Sequence, residues 1–116
     1  MTKVTLYTAQ DAFCGFVCEG HAEYAHADED DIVCAAISAL TATCVNALES
    51  VANVLPKVKR RPKDAYLQVL LPGNLTLEQQ HDSQVLIKCL KQGIGDLAGQ
   101  YPKHVHLSIQ EWRKPI

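Results

Sequence analysis

The stretch DIVCAAISALTATCVNALESV, Asp31 to Val51, decides how the rest of the chain is read. Val33, Ile37, Leu40, Cys44, Leu48 and Val51 recur at steps of three and four, the spacing of one helical face. Ala35, Ala36, Ala39, Ala42 and Ala47 keep such a helix slim, so it can lie close to a sheet. Asp31 stands where an N-cap belongs, and the acids before it, Asp28, Glu29 and Asp30, favour a helix N-terminus through the macrodipole. Pro56 closes the pattern, which predicts a helix over about Ile32 to Val54.

Upstream, Lys3 to Ala9 alternates Val4, Leu6 and Thr8 against Thr5 and Tyr7, and Ala12 to Gly20 follows after Gln10-Asp11. That spacing predicts a β-hairpin, with Gly15 marking a bulge or a close backbone approach. Downstream, Pro56 to Lys63 is prolines and cations and reads as a loop. Asp64 to Leu71 alternates Ala65, Leu67, Val69 and Leu71, a third strand, and Pro72-Gly73-Asn74 is a turn. Thr76 to Gln79 matches a capping box. Val85, Leu86, Cys89, Leu90 and Leu97 mark a second amphipathic helix, expected to fray around Gly93 and Gly95. Lys103 to Trp112 puts Val105, Leu107 and Ile109 on one face and His104, His106 and Ser108 on the other, a half-exposed fourth strand. The order β-β-α-β-α-β predicts an α+β fold: a small, mostly antiparallel four-stranded sheet with both helices on one face. With neither internal repeats nor a composition break, residues 1–116 read as one domain.

Composition narrows the function classes. A chain of 116 residues with 47% apolar and 21% charged residues fits one ordinary globular core. A net charge of -2 argues against a general nucleic-acid binder. No apolar run approaches the roughly 20 residues that span a bilayer, and MTKVTLYTAQD lacks the apolar centre of a secretory signal, so no membrane association is expected. Five cysteines without a short-spaced framework read as free thiols in a reducing cytoplasm.

Cys14, Cys18, His21 and Cys34 invite a metal reading. On a regular strand, however, Cys14 and Cys18 share a face about 13 Å apart at ~3.3 Å per residue, too far for a common metal or a disulfide. They read as small apolar strand residues, and no metal or cofactor is expected. Cys44 and Cys89 fall on the apolar faces of their helices, as core residues. His81, His104 and His106 read as solvated, and His26 lies in the acidic segment. Cys34 differs. With Asp31 as cap it is the third helical residue, near free amides and the positive end of the dipole, which favour a nucleophilic thiolate. His21, at the end of the second strand, can meet that helix start across the loop, as a Cys-His pair of the nucleophilic type. Packing is the competing reading of a cysteine at a helix start.

The pair GHA (Gly20 to Ala22) and DIVCAAISAL (Asp31 to Leu40) resembles the ribosomal-processing cysteine proteases, the Prp family, over nearly the whole chain. The resemblance implies a cysteine nucleophile at Cys34 and a histidine proton partner at His21. Asp31 and Ser38 match the Asp and Ser of the family's D-[IV]-V-C-A-A-x-S motif, as auxiliary residues. It further implies a substrate: the N-terminal extension of large-subunit ribosomal protein number twenty-seven, cut after a pair of aromatic residues. A homodimer is implied too, and a mobile lid between the histidine and the cysteine, in which Tyr24 is the residue expected to close over substrate. Members usually space the two residues by twelve and include a glycine. Here the spacing is thirteen, and residues 22–30 contain no glycine. A sheet with one bare face would expose Tyr66, Leu70 and Trp112 for association. The rivals are a non-catalytic ribosome-associated or RNA-binding module built on Lys57, Lys59, Arg60, Arg61 and Lys63, and a redox-sensing thiol protein built on Cys34. No direct nucleic-acid contact is required by the protease reading.

Overall fold

The structure is a computed structural model, and it describes residues 1–25 and 31–113. Its elements run β1 (Thr2–Ala9), β2 (Ala12–Glu19), α1 (Ile32–Ser50), β3 (Lys57–Arg61), β4 (Tyr66–Leu70), α2 (Leu77–Gln100) and β5 (Val105–Glu111). The five strands form one sheet in the order β3-β4-β2-β1-β5. Every pairing is antiparallel except β1 with β5, which is parallel. The α+β class and the mostly antiparallel sheet therefore stand.

Register sets the two faces. Val4 pairs with Cys18, Leu6 with Phe16, Phe16 with Val69 and Cys18 with Leu67, so alternate residues line one face. That face meets Val33, Ile37, Cys44 and Leu48 of α1 and Ile87, Leu90 and Ile94 of α2 in a single core. The predicted irregularity in β2 is present: the register shifts beside Gly15, and a Cβ there would collide with the Val69 carbonyl oxygen.

Several expectations need correction. The sheet has five strands, because Lys57–Arg61, read as loop, pairs with β4. All five of its residues are exposed, so no burial alternation announces it. Lysines on such an edge discourage pairing with other chains. The first helix stops at Ser50 rather than Val54. Asn53 takes a left-handed φ of 57°, and the Val54 N–H returns to the Leu48 carbonyl at 2.8 Å, a terminating turn that asparagine tolerates well. The second helix does not fray at Gly93 and Gly95: Ile94 is fully buried, and Leu97 and Ala98 pack on the core, which carries the helix to Gln100. Its buried face is Ser83, Ile87, Leu90 and Ile94, so Val85 and Cys89 are exposed rather than core. Finally, α1 is long and apolar enough, by length and composition, to cross a membrane, contrary to the sequence expectation. In this fold its apolar stripe packs into the core against the sheet and α2.

Candidate active site

The site begins where β2 ends. Gly20 has φ 89°, and a Cβ there would lie 2.6 Å from the Met1 carbonyl oxygen, so only glycine fits. Its N–H donates to the Ala65 carbonyl (3.0 Å), and its carbonyl accepts from the Thr2 hydroxyl (3.0 Å). The chain therefore leaves the sheet through a fixed turn and delivers His21, exposed, at the rim of a groove.

The opposite wall is the start of α1. Asp31 is its N-cap, as the sequence predicts: Oδ1 accepts from the amides of Val33 (3.0 Å) and Cys34 (2.9 Å). Oδ2 reaches back to the amides of Tyr24 (3.0 Å) and Ala25 (3.4 Å). Desolvation pushes this carboxyl up, but hydrogen bonds from the backbone of Cys34, Tyr24 and Ala25, and from the Cys34 thiol, outweigh it and hold the group below the ordinary value of 3.8. One carboxylate thus caps the helix and ties down the segment after His21. Cys34, half-buried, is the third residue of α1, and its Sγ accepts the Ala22 N–H at 3.2 Å. The amide that contacts the sulfur is the one directly following His21.

His21, Cys34 and Ser38 share a groove of ≈ 360 Å³, with Arg60, Tyr66 and Leu67 on its far side. Three of the residues predicted for the site thus line one groove. Asp31 lies behind them, acting through the cap. Tyr24 does not line the groove; its ring meets Tyr101 (centroids 5.3 Å) and His104 (5.5 Å) edge-on. Asp28 to Asp30, His26 and the centre of the expected lid fall outside the described residues.

Cys18 also borders the groove, and burial first, then the charges of Cys34 and Glu19, pushes its thiol up to about 11. Among the described residues no group of three or more His, Cys, Asp or Glu side chains could hold a metal ion. His104 corrects the sequence reading. Its parity predicts a solvated side chain, but it is half-buried, with Nδ1 2.9 Å from the Ala22 carbonyl oxygen. Sequence reasoning also missed Arg60 as a groove residue, because its part of the wall exists only through the β3–β4 pairing.

A thiol at a helix start, touched by a backbone amide and sharing a groove with an imidazole, is equipped for nucleophilic attack. Residues 1–106 match the family model described as Cysteine protease Prp. The chain belongs to that family of peptide-bond hydrolases. Solved structures agree on the fold. A ribosomal processing protease Prp from S. aureus, in complex with a covalently linked product peptide, superposes with a TM-score of 0.81 at 16% identity, over 94% of this chain and 99% of that one. The same S. aureus protease with a substrate peptide gives 0.77 at 16% identity, with the same shares of each chain. SMU.848 from Streptococcus mutans gives 0.81 at 27% identity, over 97% of this chain and 96% of that one. Curated protein sequences yield no match.

Proposed function

We propose that this chain is a cytoplasmic cysteine endopeptidase that removes the N-terminal extension of large-subunit ribosomal protein number twenty-seven, with Cys34 as nucleophile and His21 as its proton partner. The observation that carries this reading is the Cys34 sulfur at the start of α1, hydrogen-bonded to the amide that follows His21, with both residues lining one groove. Membership of the Prp family supplies the reaction class, and the S. aureus protease of the same fold has been solved in complex with product and substrate peptides.

In this reading His21 takes the thiol proton, and the sulfur attacks the scissile carbonyl carbon. The carbon–nitrogen bond breaks, and the proton passes from His21 to the leaving amine. A thioester on Cys34 remains. Water, deprotonated by His21, then releases the second product as a carboxylate and restores the thiol. Asp31 keeps the cap and the segment after His21 in one arrangement. Ser38, one turn beyond Cys34, contributes to the groove wall. Tyr24 is the residue proposed to move onto bound substrate, and the functional unit is proposed to be a homodimer.

Incubation with the amino-terminal peptide of the organism's own ribosomal protein, followed by mass spectrometry, tests the assignment. The expected result is one cut after an aromatic pair, absent in Cys34→Ala. Cleavage at unrelated positions would remove the substrate assignment, and no cleavage of any peptide would remove the protease reading.

A further inference from the structure

Ala22 is held at both of its backbone groups. Its N–H donates to Cys34 Sγ at 3.2 Å, and its carbonyl lies 2.9 Å from His104 Nδ1. A carbonyl can only accept, so Nδ1 is the protonated, donating nitrogen. His104 is itself fixed just before β5. Its backbone N–H donates to the Tyr101 carbonyl (2.9 Å), and its own carbonyl accepts from the Thr2 N–H (2.9 Å). Its ring meets Tyr24 edge-on, and Tyr24 in turn meets Tyr101.

Between these anchors Glu23 has φ 57°. A non-glycine residue visits this left-handed region rarely, and it persists where the surroundings over-determine the backbone. Three anchors supply that here: His104 on the Ala22 carbonyl, Cys34 on the Ala22 amide, and Asp31 on the Tyr24 amide. Glu23 therefore makes the turn that a glycine would otherwise make.

We propose that His104 is a positioning residue for the thiol site: by holding the Ala22 carbonyl it aims the Ala22 N–H at the Cys34 sulfur and fixes the neighbouring His21. This rests on Cys34 being the nucleophile. As the thiol ionises, its sulfur becomes a stronger acceptor, and a pre-aimed amide stabilises the anion without reorganising. Without the His104 donor the Ala22 carbonyl is free, residue 22 can rotate, and the amide leaves the sulfur. His21 loses its fixed position in the same movement. The sulfur would then lose a donor that stabilises its negative charge.

Three proteins test this: wild type, His104→Leu, which keeps bulk but removes the donor, and His104→Asn, whose amide nitrogen stands close to the position of Nδ1. Alkylation of Cys34 by iodoacetamide is followed by peptide-resolved mass spectrometry at neutral and at strongly alkaline pH. His104→Leu should be slower at neutral pH by about tenfold, the size of one hydrogen bond to a charged acceptor, and no slower than wild type at strongly alkaline pH, where the thiolate is formed in both. His104→Asn should recover most of the loss. On a cleaved peptide, kcat should fall in His104→Leu with KM nearly constant, and His104→Asn should again recover. Unchanged neutral-pH alkylation in folded His104→Leu would overturn the proposal, and so would an Asn variant as slow as the Leu variant. Should His104→Leu not fold, His104→Ala takes its place with the same expectations. The alkylation measurement needs no substrate, so a failure of the proteolytic reading and a failure of the His104 clamp are seen separately.

Discussion

Asp31 performs two tasks with two oxygens, and substitution can separate them. Asn at position 31 keeps one carbonyl oxygen to cap Val33 and Cys34, but its amide nitrogen cannot accept from Tyr24 and Ala25. Asp31→Asn should therefore keep the cap while slowing catalysis, whereas Asp31→Ala should lose about 1 kcal/mol more in urea unfolding. A large stability loss in the Asn variant would show that the loop tether, not the cap, carries the energy. The folded-state pKa of Asp31 is depressed below 3.8. Its contribution is therefore fully present above that value and is lost as pH falls through the lower folded-state pKa. Asp31→Asn should accordingly flatten the acid limb of the stability curve. Thiol selectivity follows from burial. Cys18 and Cys44 are pushed up to about 11, so both remain protonated and resist alkylation near neutral pH. Labelling of Cys18 ahead of Cys34 in peptide-resolved mass spectrometry would contradict this account of the site. Cys34 and Asp31 were legible in the sequence because the helix pattern fixes both at its start. The Ala22 amide and His104 were not, since their contacts join residues 12 and 82 positions apart.

Helix α1 and the hairpin β1–β2 were readable because each satisfies its own periodicity against one core face. The capping box at Thr76 was readable for the same local reason: the Thr76 hydroxyl accepts from the Gln79 amide, and Gln79 accepts from the Thr76 amide. Strand β3 had no such signature. Its residues lie in water on both faces, so only pairing with β4 makes it a strand. That pairing also changes the meaning of the cations: Lys57, Lys59 and Arg61 share the parity of Tyr66 and Leu70, and the Arg61 guanidinium stacks 3.9 Å from the Tyr66 ring centroid. In α2, helical phase was misjudged because Val85 and Cys89 look apolar, while the residue actually buried is Ser83. The Ser83 hydroxyl is buried without a hydrogen-bond partner among the described residues. Ser83→Ala should therefore stabilise the protein by up to ~1 kcal/mol in urea unfolding, combining relief of the orphaned hydroxyl with better helix propensity. A loss of stability would mean that the hydroxyl is satisfied in solution.

Both helices cover one face of the sheet, and the other face carries Tyr7, Tyr66 and Leu70, with Trp112 edge-on to Tyr7 at 4.9 Å. A bare face with large side chains fits the proposed homodimer, and light scattering at micromolar concentration should give twice the chain mass. A clean monomer would remove the dimer from the account without touching the chemistry. The groove lies between the start of α1, the end of β2 and the β3–β4 wall, so its shape depends on the whole sheet, while the chemistry proposed for it rests on Cys34 and His21. The most direct test of that chemistry is the mass of the intermediate. Wild-type protein mixed with the ribosomal amino-terminal peptide and quenched in acid within one turnover should carry a thioester-linked fragment on Cys34. The added mass should equal that of the peptide up to the cut. His21→Ala should accumulate that adduct far more slowly, and Cys34→Ala should show none. An adduct on any other residue, or cleavage that persists in Cys34→Ala, would contradict the assignment of Cys34 as nucleophile.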